Sequence, residues 1–293
     1  MSNITKERKA FFKRIRGADT EGAEMSFIDH LEVLRWHLFR VAIVLISVAI
    51  FVFLYVDWIF DNIVFAPAKK DFVTYIGLCN LSHKLHLGDA LCMPPIDIQL
   101  LGTTVSGPFM SAISISFMGA IIIAFPYLLW ELWRFVKPAL SSKEISFAKG
   151  SIGWVSLCFF SGAAFGYYLL APFTFNFLAN FQLGTLGVYK YMPTLDDYID
   201  TLTSLILGCG IAFELPVLAY VLSKLGLITP TFLRTYRKYA YVVILILAAV
   251  ITPSPDWTSQ TIVAVPLILL YEISIFISKR VDKQRIKAEA EWD

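Results

Sequence analysis

The chain has 293 residues, of which 57% are hydrophobic and 16% are charged, and its formal net charge is +2. A soluble domain carries about a quarter charged residues, so this composition indicates a membrane protein. The small net charge gives no indication of nucleic-acid binding. The first segment, "MSNITKERKAFFKRIRGADTEGAE", lacks the apolar core and the cleavage site of a signal peptide.

Apolar runs of the length of membrane helices predict an all-α polytopic membrane protein with six transmembrane helices. The runs cover 38–58, 109–131, 152–178, 202–222, 238–252 and 260–277. The fifth is short, because its uncharged part would fall well below a hydrocarbon core of ~30 Å. Either the bilayer thins around this helix, or Tyr236 and Tyr239 extend it at the interface. The sixth run also lies at the short limit.

The distribution of positive charge predicts the orientation. Twenty of the 25 Lys and Arg residues lie on one side of the six runs, and four lie on the other. Positive loops stay cytoplasmic, so both termini are expected inside the cell. The predicted parts are a cytoplasmic arm with an amphipathic helix (1–37), a transmembrane domain (38–278) and a basic cytoplasmic tail (279–293). The domain includes a long outside loop, 59–108.

Two of the four cysteines, Cys79 and Cys92, lie in this outside loop. His83 and His86 lie between them, so a metal site is an alternative, but an oxidising compartment favours a disulfide. No bound metal is therefore expected. In the chain-entropy model such a short loop gains about 3 kcal/mol from the bond.

One acid interrupts the fourth apolar run, in the stretch "GIAFELP". Glu214 in hydrocarbon costs roughly 2.5–3.5 kcal/mol, and its own helix offers no cation before Lys224. Pro216 lacks a backbone donor, so the carbonyl of Ala212 loses its helical bond. Three interpretations compete: a proton site, a site completed by a polar group of another chain, and a carboxyl hydrogen-bonded within the bundle. The missing cation favours the partner, and Gln260 is an uncharged candidate neighbour within the chain.

Two stretches predicted to be cytoplasmic place acids on a basic surface. In "FIDHLEVLRWHLFR", Asp29, Glu32 and Arg35 are three residues apart and can share a helix face. In "ELWRFVKPALSSKE", Pro138 ends a helix and Glu144 follows in the next first turn. A solvated helix face and an ordinary turn are the simpler interpretations. Together, however, these carboxylates suit a cationic peptide with arginines, which pair bidentately with them.

The sequence contains no arrangement typical of an enzyme. There is no HExxH, GxSxG, P-loop or dinucleotide fingerprint, so neither catalysis nor a cofactor is expected. A proton-coupled small-molecule transporter built around Glu214 is an alternative function that chemistry alone leaves open.

Six segments recur in the order of a known family. They are "HLEVLR", "FAPA", "FVKPALSSKE", "FELP", "ITPSPDWTSQ" and "YEISIF". With six spans, the chain resembles the TatC family, the receptor subunits of the twin-arginine protein translocase. The resemblance implies a concave, glove-like bundle in the bacterial inner membrane that binds twin-arginine signal peptides of folded proteins. It also implies TatA/TatB-type single-span partners, self-association in a multi-copy complex, and export driven by the proton-motive force.

The resemblance also implies roles for individual residues. Glu144 and Phe135 match the family's signal-peptide acid and aromatic residue, and Glu214 matches its intramembrane glutamate. The other matching residues are Pro216 and Gln260 near the partner contact, and the structural residues Pro67, Pro138 and Asp256.

The N-terminal motif departs from the family pattern. The family usually has His-Leu-x-Glu-Leu-Arg, but here the acidic position is Val33 and the arginine is Arg35. A shift of one residue turns a helical side chain by about 100°, so Glu32 and Asp29 are both candidates for the missing acid.

Overall fold

The structure, a computed structural model, describes most of the chain. The described residues are 27–86, 88–89, 92–94, 96, 98–136, 151–180, 192–224, 226, 228–252 and 257–290. For residues 27–31, 151, 258–259 and 284–290 it describes the backbone alone. Of the predicted site residues, Glu144, Pro138 and Asp256 lie outside the described ranges, as does the side chain of Asp29.

The secondary structure of the described ranges is helical. The longer ones are α1 (Phe27–Leu54), α2 (Val73–Lys84), α3 (Gly107–Val136), α4 (Ser151–Phe165), α5 (Ala171–Asn180), α6 (Leu195–Ala212), α7 (Leu215–Lys224), α8 (Arg237–Ile251) and α9 (Trp257–Ala290). A π-helical turn, Gly166–Leu170, joins α4 to α5. Extended pairing within these ranges is limited to one isolated bridge between Leu101 and Thr194.

Five helical segments are long and apolar enough to cross a membrane. They are Glu32–Leu54, Gly107–Val136, Ile152–Asn180, Leu195–Lys224 and Gln260–Lys283. The predicted fold class, an all-α polytopic membrane protein, is confirmed. The predicted fifth span corresponds to α8, whose 15 residues extend about 22 Å. The sixth is longer than its apolar run suggested, because α9 continues into polar residues.

Large apolar side chains remain exposed along these helices. Examples on α1 are Ile46, Ile50 and Phe51, each close to 60% exposed. Only 6% of the apolar window of α1 is buried inside the protein, against 39% for the window of α4 and α5. Surfaces of this kind match a lipid environment, in which apolar side chains have no reason to be covered by protein.

The helices pack in neighbouring pairs. α1 runs along α3, α4 packs on α6, and α9 contacts both α7 and α8. Two glycines permit the closest approach: a Cβ at Gly162 would lie 2.5 Å from the carbonyl oxygen of Cys209, and one at Gly166 would lie 2.6 Å from that of Leu205. Small residues spaced four apart let helix backbones meet in this way. This contact sets the position of the C-terminal end of α6.

The segment after α1 is fixed by tyrosines from three other parts of the chain. Their hydroxyls donate to backbone carbonyls, from Tyr75 to Pro67 (2.9 Å), from Tyr198 to Val64 (2.6 Å) and from Tyr167 to Ile63 (2.8 Å). Burial raises the pKa of Tyr75, which keeps its hydroxyl a donor. Pro67 itself is buried in a short 3₁₀ turn, and its structural role stays a prediction.

Candidate functional site

The first candidate site is a buried carboxylate where α3 meets α1. The side chain of Glu131 is 0% exposed. Its Oε1 lies 2.9 Å from His37 Nδ1 and accepts a hydrogen bond from Arg40 at 3.1 Å, while Oε2 lies 3.5 Å from the guanidinium of Arg134. A buried carboxylate is tolerated when cationic donors surround it in this way.

Helical periodicity brings these four residues together. His37 and Arg40 are three apart on α1, and Glu131 and Arg134 are three apart on α3, so each pair shares a face of its helix. The packing of α1 along α3 joins the two faces. Sequence reasoning missed this cluster, although the two i, i+3 pairs of polar residues at the ends of apolar runs were its visible signal.

The cluster positions one predicted signal-peptide residue. The ring of Phe135 meets the imidazole of His37 edge-on, with centroids 6.0 Å apart. Glu32 and Arg35 are exposed on α1, five and two residues before His37. The structure therefore brings Phe135 near the α1 end that carries Glu32 and Arg35.

The second candidate site surrounds Glu214. Its Oε1 is buried and has no hydrogen-bond partner among the described residues. The carboxyl group lies near Cys158 and beside the backbone of Phe159, both on α4. A buried acceptor without a partner costs about 1–3 kcal/mol, so the site is incomplete within the described part of the chain.

The helix is interrupted at this carboxylate. α6 ends at Ala212 and α7 begins at Leu215, and the amide of Glu214 donates to Ile211 three residues back, at 3.0 Å. Pro216 is buried in the first turn of α7 and has no N–H for the carbonyl of Ala212. The sequence predicted one weakened span here, and the structure has one apolar segment, Leu195–Lys224, with a two-residue turn at Phe213 and Glu214.

The remaining predicted residues lie elsewhere. Gln260 donates from Nε2 to the carbonyl of Leu245 at 3.0 Å, which ties α9 to α8. No hydrogen bond or ion pair between Gln260 and Glu214 occurs within the described residues. Cys79 and Cys92 form a disulfide with Cα atoms 4.3 Å apart.

Comparison with known proteins places the chain in a family. The family model described as "Sec-independent protein translocase protein (TatC)" matches residues 29–266. The chain belongs to the TatC family. Both candidate sites lie within the matched residues.

Individual TatC proteins and structures match over most of their length. The TatC of Blattabacterium sp. subsp. Periplaneta americana is 37% identical over 90% of this chain and 99% of its own. That of Helicobacter pylori strain J99 is 46% identical over 59% of this chain and 68% of its own. Crystal structures of the twin-arginine translocase receptor TatC match with 31% identity. One covers 86% of this chain and 99% of its own with a TM-score of 0.64, and the other, in DDM, covers 85% and 99% with 0.67.

The family match and the structural match confirm the resemblance to TatC that the six sequence segments indicated. The comparisons give no support to a proton-coupled small-molecule transporter. TatC proteins are components of a protein translocase, which is a transport function.

Proposed function

We propose that the chain is the receptor and assembly-platform subunit of a twin-arginine translocase. It binds twin-arginine signal peptides of folded proteins, which are then exported with energy from the proton-motive force. The observation that carries this proposal is the likeness to crystal structures described as the twin-arginine translocase receptor, at 31% identity over 86% of the chain. Catalysis has no part in the proposed role, and no cofactor or nucleic acid is required.

The proposed signal-peptide surface lies at the ends of α1 and α3. Phe135 contributes an aromatic face, Glu144 a carboxylate, and Arg35 with Glu32 or Asp29 the facing helix. The cluster around Glu131 supports this assignment, because it fixes the two helix ends against each other. A carboxylate on such a helix end would pair bidentately with a guanidinium group of the peptide.

Crosslinking tests the receptor role directly. A purified full-length chain would be incubated with a twin-arginine signal peptide that carries a photoreactive group. We expect crosslinks that a twin-lysine peptide of the same sequence forms much more weakly, because an ammonium group cannot bind a carboxylate bidentately. Equal crosslinking of both peptides would contradict the proposed recognition.

The proposed partner surface is the break between α6 and α7. Among the described residues Oε1 of Glu214 has no hydrogen-bond partner, so a polar group on the single transmembrane helix of a TatA/TatB-type subunit can complete it. Pro216 leaves the backbone of this region short of one bond, which adds a second acceptor. Gln260 would contact the partner on the neighbouring helix pair.

The proposed arrangement in the membrane follows from charge and helix length. The five long helices and α8 would form six spans in the bacterial inner membrane. Both termini then lie in the cytoplasm, with 1–37 and 279–293 as the cytoplasmic segments around the domain 38–278. Pro138 and Asp256 keep their proposed structural roles, and the receptor would associate into a complex of several copies.

A further inference from the structure

Four side chains of metal-ligand type converge at the end of α2. They are Cys79, His83, Asp89 and Cys92, and one ligand atom from each lies within 4.8 Å of the others. Cys79 and His83 are four apart on α2 and therefore share a face. Asp89 and Cys92 return on the following turn, where the amide of Cys92 donates to the carbonyl of Asp89 at 3.0 Å.

Two of the distances between ligand atoms already suit a zinc site. Nε2 of His83 lies 3.1 Å from Oδ1 of Asp89, and that oxygen lies 3.8 Å from Sγ of Cys92. In a tetrahedral site with Zn–N of about 2.0 Å and Zn–S of about 2.3 Å, neighbouring ligand atoms are roughly 3.2–3.8 Å apart. The two sulfur atoms are bonded to each other in the structure, so this pair must separate before both can bind one ion.

The turn that presents these ligands does not depend on the sulfur–sulfur bond alone. The buried hydroxyl of Ser82 donates to the carbonyl of Gly88 at 2.7 Å. His86 and Gly88 both have positive φ angles, 58° and 60°, which reverse the chain between His83 and Asp89. Neither the hydrogen bond nor the two positive φ angles involves a sulfur atom.

The ligands are also accessible to an ion in water. The side chains of His83 and Asp89 are 57% and 87% exposed, and Cys79 and Cys92 are half-buried. Two sulfur ligands with one nitrogen and one oxygen suit Zn²⁺, which accepts all three atom types in a four-coordinate site.

We propose that the dithiol form of this loop binds one Zn²⁺ ion through Cys79, His83, Asp89 and Cys92. The newly made chain carries both cysteines as thiols, and binding releases their two protons to solvent without any electron transfer. Formation of the disulfide instead passes two electrons and two protons from the same pair to a disulfide oxidant, which is reduced to two thiols. Metal binding and the disulfide therefore exclude each other, and zinc-bound thiolates are held back from oxidation.

A metal titration of the full-length chain in detergent tests this proposal. One sample is reduced with a phosphine and freed of it by gel filtration, and the other keeps its disulfide. Each is titrated with Zn²⁺ against a chromophoric chelator. We expect one tightly bound ion per reduced chain and none per oxidised chain. Equal binding by the two forms would overturn the proposal.

Matched histidine variants identify the ligands. His83→Asn removes a proposed ligand, whereas His86→Asn changes a histidine three residues away whose Nδ1 faces the carbonyl of Lys84. The first should weaken binding by at least about tenfold, the loss that even a supporting residue can cause in a metal site. The second should leave binding unchanged. Equal affinities of both variants would contradict the site.

Substitution by Co²⁺ reports the cysteines separately. A thiolate-to-metal absorption band is expected for the reduced chain and for His86→Asn. It should disappear in the double variant Cys79→Ser and Cys92→Ser, which retains Cys158 and Cys209. Circular dichroism checks that the double variant keeps its helix content. A band that persists in this folded variant would assign the metal to the other thiols and refute the proposal.

Discussion

Glu131 illustrates how one residue can hold two helices together. Its carboxylate is fully buried, but Arg40 and Arg134 around it are 45% and 44% exposed. Each arginine can therefore reach water or lipid head groups, whereas the carboxylate depends on them. The stability of this junction consequently rests more on Glu131 than on any single cation near it.

Replacing Glu131 by Ala should lower the free energy of unfolding of the detergent-solubilised chain by about 1–3 kcal/mol, because the buried hydrogen bonds are lost. A thermal unfolding series followed by circular dichroism would measure the change. Glu32→Ala is the matched control, since it removes an exposed acid from the same end of α1 and should stay within about 0.5 kcal/mol. Equal effects of the two substitutions would show that Glu131 does not join the helices.

Glu144→Ala should weaken crosslinking of a twin-arginine peptide by roughly tenfold or more, the effect of losing one charge-assisted hydrogen bond of about 1.5–3 kcal/mol. The same assay on Glu32→Ala and Asp29→Ala separates the two candidates on α1, because only the acid that faces the peptide should matter. Unchanged crosslinking by the Glu144 variant would argue against its assigned role.

Glu214→Ala should leave signal-peptide crosslinking intact and abolish co-purification of the single-span partners. It should not lower the stability of the isolated chain, because Oε1 has no hydrogen bond to lose within the described residues and its burial without a partner is itself unfavourable. Glu214→Gln keeps an acceptor and should retain part of the co-purification. A large loss of stability without loss of partners would instead favour an internal structural carboxyl.

At the scale of elements, close helix packing sets where functional groups lie. Gly162 on α4 faces the backbone at Cys209 near the end of α6, a few residues before Glu214. Any side chain at this glycine pushes α6 away from α4 and moves the break with it. The position of the Glu214 carboxylate therefore depends on the missing side chain of Gly162.

Gly162→Ala is therefore expected to lower the stability by about 1–3 kcal/mol, the usual cost of an overpacked contact. Gly153→Ala on the same helix is the control, because a Cβ there meets nothing within 4 Å. That change should stabilise the helix by roughly 0.5–1 kcal/mol. Thermal unfolding of both variants in one detergent provides the comparison, and a neutral Gly162 variant would refute the close contact.

The sequence was sufficient for features with a local cause. Hydropathy located the apolar helices, Pro216 predicted the weak point beside Glu214, and the loop context of Cys79 and Cys92 favoured their pairing. It was insufficient for contacts between distant residues. Glu131 and His37 are 94 positions apart, so their pairing depends on how α1 and α3 pack, which no local pattern records.

At the scale of the whole molecule, whether the number of membrane spans is even or odd depends on α8, the shortest of the predicted spans. α8 is about 22 Å long, less than a hydrocarbon core of ~30 Å, and interfacial residues or a thinner bilayer must make up the difference. If α8 crosses the membrane, the two ends of the chain lie on the same side.

A reporter enzyme that is active only outside the cytoplasm distinguishes a chain in which α8 crosses the membrane from one in which it does not. Fused after Asp293 it should be inactive, because six spans and the positive charge of the tail keep that end inside. The same reporter inserted at Gly88, in the loop predicted to lie outside, should be active and serves as the control. Activity of the C-terminal fusion would mean that α8 does not cross.

The small buried share of α1 has a consequence for biosynthesis. A helix in lipid forms all its backbone hydrogen bonds within itself. Only 6% of the apolar window of α1 is buried against the rest of the protein. It can thus leave the ribosome, insert, and persist alone while the downstream chain is still being translated. Until α3 is in place, Arg40 and His37 lack the carboxylate of Glu131 that they contact in the folded protein. The ion cluster is formed late, as the step that joins two helices already in the bilayer.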